Sequence, residues 1–292
     1  MEGRPEAAPL LALAESAEAL GYASVWVGDS LLARPRHEPL TLLAGVAGHT
    51  RRVELGTAVL LPALRNPVLL AHSVATLDQV SEGRVILGVG IGLNVPSVHA
   101  EFAAAGVPFE KRVGRMLEGL RLCRALWTGR PIDWNGRWNV QSGVLAPMPA
   151  RAGGPPIWVG GNLQSSRKQA GKLFEGWLPI TPSPNDWAIQ WAEVQSVART
   201  AHRDPAAITG AMYLTLSIDD NEGRANERMN AFLEQYYNQP AASLRSWQAN
   251  YAGTVDGAKA LLRNYADAGV GHVVLRFVGD HERHLRTLAG AP

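Results

Sequence analysis

The sequence predicts an α/β fold, with a parallel sheet covered by helices on both faces. Three observations carry this expectation. Short apolar segments alternate with segments of helical period along almost the whole chain. Those apolar segments are continuous rather than alternating, as in strands buried on both sides. Glycine or proline marks most of the boundaries between them.

The elements follow in order. Leu10, Leu13, Ala14, Ala17 and Leu20 fall at helical spacing, and Gly21 closes the run as a C-cap. ASVWVGD (23–29) reads as a short buried strand and PLTLLAGVAGHT (39–50) as a helix. VELGTAVLL (53–61) is the next strand, and Pro67 suits the first position of a helix over 67–82, ended by Gly83. RVILGVG (84–90) is a strand, and 110–128 is an amphipathic helix ended by Gly129. Residues 130–155 break the rhythm as an insertion, with a hairpin in IDWNGRWNV that turns at Asn135-Gly136.

The alternation resumes at PPIWVGG (155–161), followed by a helix from about 163 and the strand GWLPI (176–180). Trp187, Trp191, Val194 and Ala198 share one helix face, and ITGAMYLTLSI (208–218) is a strand. A helix around Met229, Phe232, Leu233 and Tyr236 follows, then a helix from Thr254 to Ala268 capped by Gly269. HVVLRFVG (272–279) is the last strand, and only a stub of helix remains after it. Seven such strands fit a doubly wound open sheet, and equally an eight-stranded barrel that lacks its first strand. No repeat or low-complexity tract interrupts the chain, so 1–292 is expected to form one domain.

Composition excludes several classes. The net charge is +2 and the basic residues are scattered, with no basic block among aromatics to bind nucleic acid. The N-terminus lacks a signal-peptide layout, and the most apolar run, VILGVGIGL (85–93), is too short to span a bilayer. A single cysteine allows no internal disulfide and no cysteine-based zinc site, so a cytoplasmic enzyme is the default. Cys123 itself lies on an apolar stripe with Leu120 and Trp127 and reads as a buried, inert thiol. The histidines show no metal-ligand spacing, so no metal is expected; His281 and His284 read as solvated. No G-x-S-x-G elbow supports hydrolase chemistry.

Parallel α/β folds bind ligands at the carboxyl ends of their strands. Standing there are Asp29-Ser30, TAVLLPALRNP (57–67), GIGLN (90–94), GGNLQSS (160–166), PITPS (179–183) and RFVGDH (276–281). GVGIG (88–92) is not a dinucleotide fingerprint, because Leu93 and Pro96 follow where a third glycine and a helix start are required. GGNLQSS has two readings. The glycines and the first N–H groups of the next helix would cradle an anion, with Ser165 and Ser166 adding hydroxyls. Otherwise it is an ordinary strand-to-helix turn capped by Asn162. The nine tryptophans read as core first, and Trp177 is the one placed near a ligand.

Four segments carry a resemblance: EALGYASVWVGDSLL (18–32), residues 54–92, PPIWVGG and DAGVGHVVLRFVG (267–279). In that order they resemble the bacterial luciferase-like superfamily of flavin-dependent oxidoreductases, over about residues 10–279. The resemblance implies a (β/α)8 TIM barrel, usually a homodimer, that binds reduced FMN or the deazaflavin coenzyme F(420). It implies a strand bulge with a non-prolyl cis peptide against the flavin ring, which maps to Ala58–Val59. It places the cofactor phosphate on Gly160, Gly161, Asn162 and Ser165, with Ser166 adjacent, and a polar ring-side residue at Asn94.

Two departures stand out. The strand that usually precedes the first helix is missing, which would leave two unpaired sheet edges and points to a chain that begins too late. Many members carry His after the acidic residue of strand two, whereas Ser30 follows Asp29 here, and His37 is a stand-in from the next loop. The leading expectation is a monooxygenase using reduced FMN and O2 on a small organic substrate, fed by a separate flavin reductase. Asp29 and Ser30 would hydrogen-bond near the ring, and Trp177 with the 130–155 insertion would shape an apolar pocket. The alternatives are deazaflavin-dependent hydride transfer and a non-catalytic flavin-binding protein or heterodimer subunit.

Overall fold

The structure is a computed structural model that describes residues 6–291. The chain forms two compact units, one built from residues up to Glu18 with Tyr22–Ile157, the other from Ala19–Gly21 with Trp158 onward.

The first unit opens with helix α1 (Ala8–Ala19), closed by Gly21 at φ +85°. Strand β1 (Ser24–Val27), helix α2 (Pro39–His49), strand β2 (Glu54–Thr57), helix α3 (Pro67–Val80) and strand β3 (Val85–Val89) follow. Each strand is parallel to its neighbour, in the order β1-β2-β3, with Trp26 beside Gly56 and Gly56 beside Ile86. All five residues of β3 are buried, as expected of a strand covered on both faces. Pro67 opens α3, and the Asn66 carboxamide caps it by accepting from Val68 N–H at 2.9 Å. Helix α4 (Pro96–Ala104), not anticipated, precedes α5 (Arg112–Leu126). The 130–155 insertion contains the expected antiparallel hairpin, β4 (Ile132–Asn135) with β5 (Asn139–Gly143).

The second unit runs β6 (Ile157–Gly160), α6 (Gln164–Leu173), β7 (Gly176–Leu178), α7 (Pro184–Thr200), β8 (Thr209–Ile218) and α8 (Glu222–Tyr237). It ends with α9 (Ala241–Trp247), β9 (Asn250–Gly253), α10 (Val255–Asp267), β10 (His272–Phe277) and α11 (His281–Leu288). Strand β8 is long enough to serve several partners. Its start pairs with β7, its end with the unanticipated β9, and its middle with β10 on the other edge, all parallel.

Two readings of single residues meet the structure differently. Cys123 is fully buried and donates to the Pro67 carbonyl, and burial pushes its thiol up to about 12, so it is inert as expected. His284 is not solvated. It is only 2% exposed, because the α11 stub folds back and its Nε2 accepts the Ile218 N–H at 3.0 Å. Among the described residues no helix is long and apolar enough to cross a membrane, and no cluster of side chains could hold a metal ion.

Candidate functional site

The first unit concentrates its unusual backbone just after β2. The Ala58–Val59 peptide is cis, at the position that the family resemblance implied. Register shows the bulge directly. Gly56 pairs with Ile86, but Leu60 pairs with Val89, so one extra residue sits on the β2 side. The chain is held through the bulge by Ala58 N–H to Val27 O and Leu60 N–H to Gly88 O, both at 2.8 Å. The glycines of GVGIG are explained here. A Cβ on Gly88 would lie 1.9 Å from Thr57 O, and one on Gly90 would lie 2.5 Å from Val59 Cγ2. Their missing side chains let the bulge pack against β3. On Gly56 the neighbour is the Trp26 ring, 2.1 Å from where a Cβ would stand.

Asp29 follows β1 and its side chain is only 3% exposed. Its carboxylate accepts the Leu61 N–H at 2.9 Å and a two-pronged Arg65 guanidinium at 2.5 and 3.1 Å. Asp29 therefore ties the end of β1 to the segment that leaves the bulge. Ser30 turns the other way. Its hydroxyl donates to Glu101 of α4 at 2.7 Å, and the same Glu101 oxygen accepts Leu32 N–H at 2.7 Å and Ala33 N–H at 2.9 Å. Glu101 is 1% exposed. Burial alone would raise its carboxyl, but the bonds from Ala33, Ser30 and Leu32 outweigh it and hold the group below the usual carboxylate range. Neither Arg65 nor Glu101 was singled out from sequence. Each acts through a tertiary contact, and an acid inside an amphipathic helix carries no local signal.

The remaining first-unit candidates are more dispersed. Asn94 is exposed and its carboxamide oxygen pairs with His99 Nε2 at 2.7 Å. His37 lines a groove with Leu11, Thr41, Leu42 and Gly45, and makes no hydrogen bond to Asp29 or Ser30.

In the second unit, β6 ends in Gly160 and Gly161, the latter at φ +109°. That conformation suits glycine, and a Cβ there would also press to 3.0 Å from Ser166 Oγ. Asn162 does not cap the helix that follows. Its carboxamide oxygen instead accepts the Ile180 N–H at 2.9 Å, beyond the end of β7. The N-cap position of α6 falls on Leu163, which offers no side-chain acceptor. Helices α2, α3, α7, α8, α10 and α11 have side-chain caps, whereas α6, like α4, α5 and α9, starts without one. Gln164 and Ser165 N–H point out of the helix start without a capping side chain, with the Ser165 and Ser166 hydroxyls in the same turn. An ordinary turn capped by Asn162 is thereby excluded.

Trp177 supports this turn from behind. Its indole N–H donates to Gly161 O at 3.0 Å. The ring itself is fully buried, stacked on Trp187 and Trp191 of α7 at 6.0 and 6.3 Å between centroids. It reaches the turn through that N–H.

The chain is similar to several known proteins. A 5,10-methylenetetrahydromethanopterin reductase of Methanolobus tindarius is 31% identical over 73% of this chain, and the aligned part spans 62% of that relative. An F420-dependent glucose-6-phosphate dehydrogenase of Amycolatopsis mediterranei is 29% identical over 94% of this chain and 90% of its own length. Among solved structures, an F420-dependent secondary alcohol dehydrogenase superposes with a TM-score of 0.86 at 20% identity, covering 100% of this chain and 95% of the other. Monooxygenase RslO1 of Streptomyces bottropensis gives 0.83 at 22% identity, over 98% and 92%. The FMN-bound oxygenating constituent of 3,6-diketocamphane monooxygenase of Pseudomonas putida gives 0.79 at 17%, over 99% and 93%. These neighbours share the expected luciferase-like α/β-barrel fold class. Residues 1–289 match the family model described as luciferase-like monooxygenase, so the chain belongs to that family and is an oxidoreductase.

Proposed function

We propose that this oxidoreductase binds a phosphate-bearing flavin-type cofactor, and that the cofactor is the deazaflavin, used for hydride exchange with a small organic substrate. The observation that carries the cofactor class is the open start of α6. Asn162 is drawn away to Ile180, so the backbone N–H groups of the first turn have no side-chain cap, and Ser165 and Ser166 lie in that same turn. Such a helix start favours an anion by about 0.3–1 kcal/mol from its dipole, before any direct hydrogen bonds. Gly160, Gly161, Ser165 and Ser166 would hold the phosphate, with Asn162 and Trp177 fixing the turn around it.

When bound, a deazaflavin supplies hydride chemistry without the oxygen reactivity of FMN. The chain's own groups bind and orient. Asp29 holds the bulge exit through Leu61 and Arg65, and Glu101 holds the Ser30 loop. We therefore read Asp29 and Ser30 as positioning residues. His37 makes no bond to either of them, and we assign it no step.

The choice of deazaflavin is supported by the dehydrogenase relative that covers nearly the whole chain. Reduced FMN with O2 is the second reading, because an FMN phosphate suits the same helix start; it would require a partner reductase. Anaerobic titration with each reduced cofactor separates them. The proposal expects tighter deazaflavin binding and no O2 consumption. Tight FMN binding with O2-dependent reoxidation would establish the monooxygenase reading, and binding of neither would remove both. As a homodimer, the protein would sediment at twice its chain mass of 31.4 kDa.

A further inference from the structure

One charged side chain in the second unit is held unlike the others. Arg276 lies in β10, next to Thr215 of β8, one residue before the carboxyl end of its strand. Buried arginines elsewhere pair with a carboxylate, as Arg65 does with Asp29 and Arg151 with Asp78. Arg84 and Arg203 lack an acid but spend their donors largely on backbone carbonyls, and Arg245 spends its donors on the side-chain oxygens of Asn226, Asn230 and Asn250. Arg276 has none of these, and among the described residues no carboxylate pairs with it.

Its five N–H donors share two hydroxyl oxygens. Thr215 Oγ1 takes bonds from Nε and Nη2 at 3.1 and 2.8 Å, and the Tyr237 hydroxyl takes two long ones at 3.3 and 3.4 Å. Around the guanidinium stand the rings of Tyr213, Phe232, Tyr236 and Tyr237, with centroids 5.0–5.8 Å away. The next group outward repeats the imbalance. The Tyr237 hydroxyl donates to Gln248 Oε1 at 3.3 Å, while Gln248 Nε2, on a residue 2% exposed, has no acceptor at all. Donors thus outnumber acceptors around a cation that is itself half-buried.

We propose that Arg276 is a substrate-binding residue that takes a carboxylate carried on a flat, apolar body. A guanidinium fork matches a carboxylate through two parallel bonds, and a single guanidinium suits a monoanion. The aromatic rings suit the apolar body. Strand ends of this kind are where parallel α/β folds meet their ligands. That the bound carboxylate is a substrate rests on the oxidoreductase reading above; the anion site itself does not.

Benzoate, its neutral isostere benzamide, and inorganic phosphate are titrated calorimetrically into the protein without added cofactor, with Arg276→Met and Arg276→Lys alongside. The proposal expects wild type to bind benzoate at least tenfold more tightly than benzamide or phosphate. It expects R276M to lose at least tenfold of the benzoate affinity and R276K to fall between. Equal binding of benzoate and benzamide, no benzoate binding, or unchanged binding by R276M would overturn it, and preferred binding of phosphate would overturn the carboxylate assignment. Should R276M fail to fold by circular dichroism, the benzoate-to-benzamide ratio and R276K decide. Benzoate binding without flavin binding would remove the cofactor proposal and leave this one standing, and the converse would remove only this one.

Discussion

Replacing Asp29 by Asn tests whether this residue positions the bulge or acts on a reacting atom. The substitution keeps a carbonyl oxygen for Leu61 N–H but removes the charge that Arg65 grips with two bonds. Breaking a buried ion pair by removing one partner costs about 3–5 kcal/mol. Here Arg65 is 22% exposed and keeps Glu38 at 3.0 Å, itself 47% exposed, so water and the second acid recover part of the loss. About 2 kcal/mol remains, equivalent to a thermal midpoint lower by about 3 °C for a chain of this length. Thermal unfolding followed by circular dichroism reads that shift, and a double-mutant cycle with Arg65→Met should return a coupling of about 1.5–2 kcal/mol. A midpoint unchanged within about 1 °C, a coupling below about 0.5 kcal/mol and a collapse in turnover would refute the reasoning. Asp29 would then be acting on the bound reactants.

Three further outcomes are expected. Glu101→Ala strands the Leu32 and Ala33 N–H groups, so stability should fall by about 2–4 kcal/mol, and proteolysis should begin in the 30–36 loop, whereas Glu101→Gln should keep most of the protection. Gly161→Ala, at φ +109° and against Ser166, should weaken cofactor binding about tenfold or more in a fluorescence titration; unchanged affinity would place the phosphate elsewhere. For His284, burial, reinforced by Arg228 and Arg283 and opposed by Asp280, lowers the folded value below the ordinary 6.5. The unfolded chain therefore binds more protons, so this contribution to stability is complete above pH 6.5 and is lost as pH falls through the folded value. His284→Gln should flatten the dependence of the unfolding midpoint between about pH 7 and pH 5, and an unaltered slope would count against it.

What was legible in the sequence follows the reach of the interactions. Strands such as 85–89 announce themselves because burial on both faces forces continuous apolar runs, and Gly21, Gly83, Gly129 and Gly269 mark turns through their own positive φ. The cis bond at Ala58–Val59 was reached only through family resemblance, since neither residue type favours it. Its structural neighbours, Gly88 and Gly90, were visible in sequence, but their purpose depends on a strand 31 residues away. Asn162 shows the limit most clearly. Local propensity makes it a helix cap, yet a backbone donor 18 residues later holds its side chain. Glu101 reaches across 71 residues to Ser30 and His284 across 66 to Ile218, distances at which no local pattern survives. The charge of Arg276 inside an otherwise apolar strand was, by contrast, a readable signal.

The phosphate seat at the start of α6 is the central claim, and a phosphate-deletion comparison tests it most directly. Affinity is measured for FMN against riboflavin, and for the deazaflavin coenzyme against its core lacking the phosphodiester tail. With the helix start and two serines contributing charge-assisted bonds, removal of the phosphate should cost roughly 100-fold, or about 2.7 kcal/mol, for whichever cofactor binds, and most of that difference should vanish in a Ser165→Ala/Ser166→Ala double variant. Equal affinity with and without the phosphate would contradict the account.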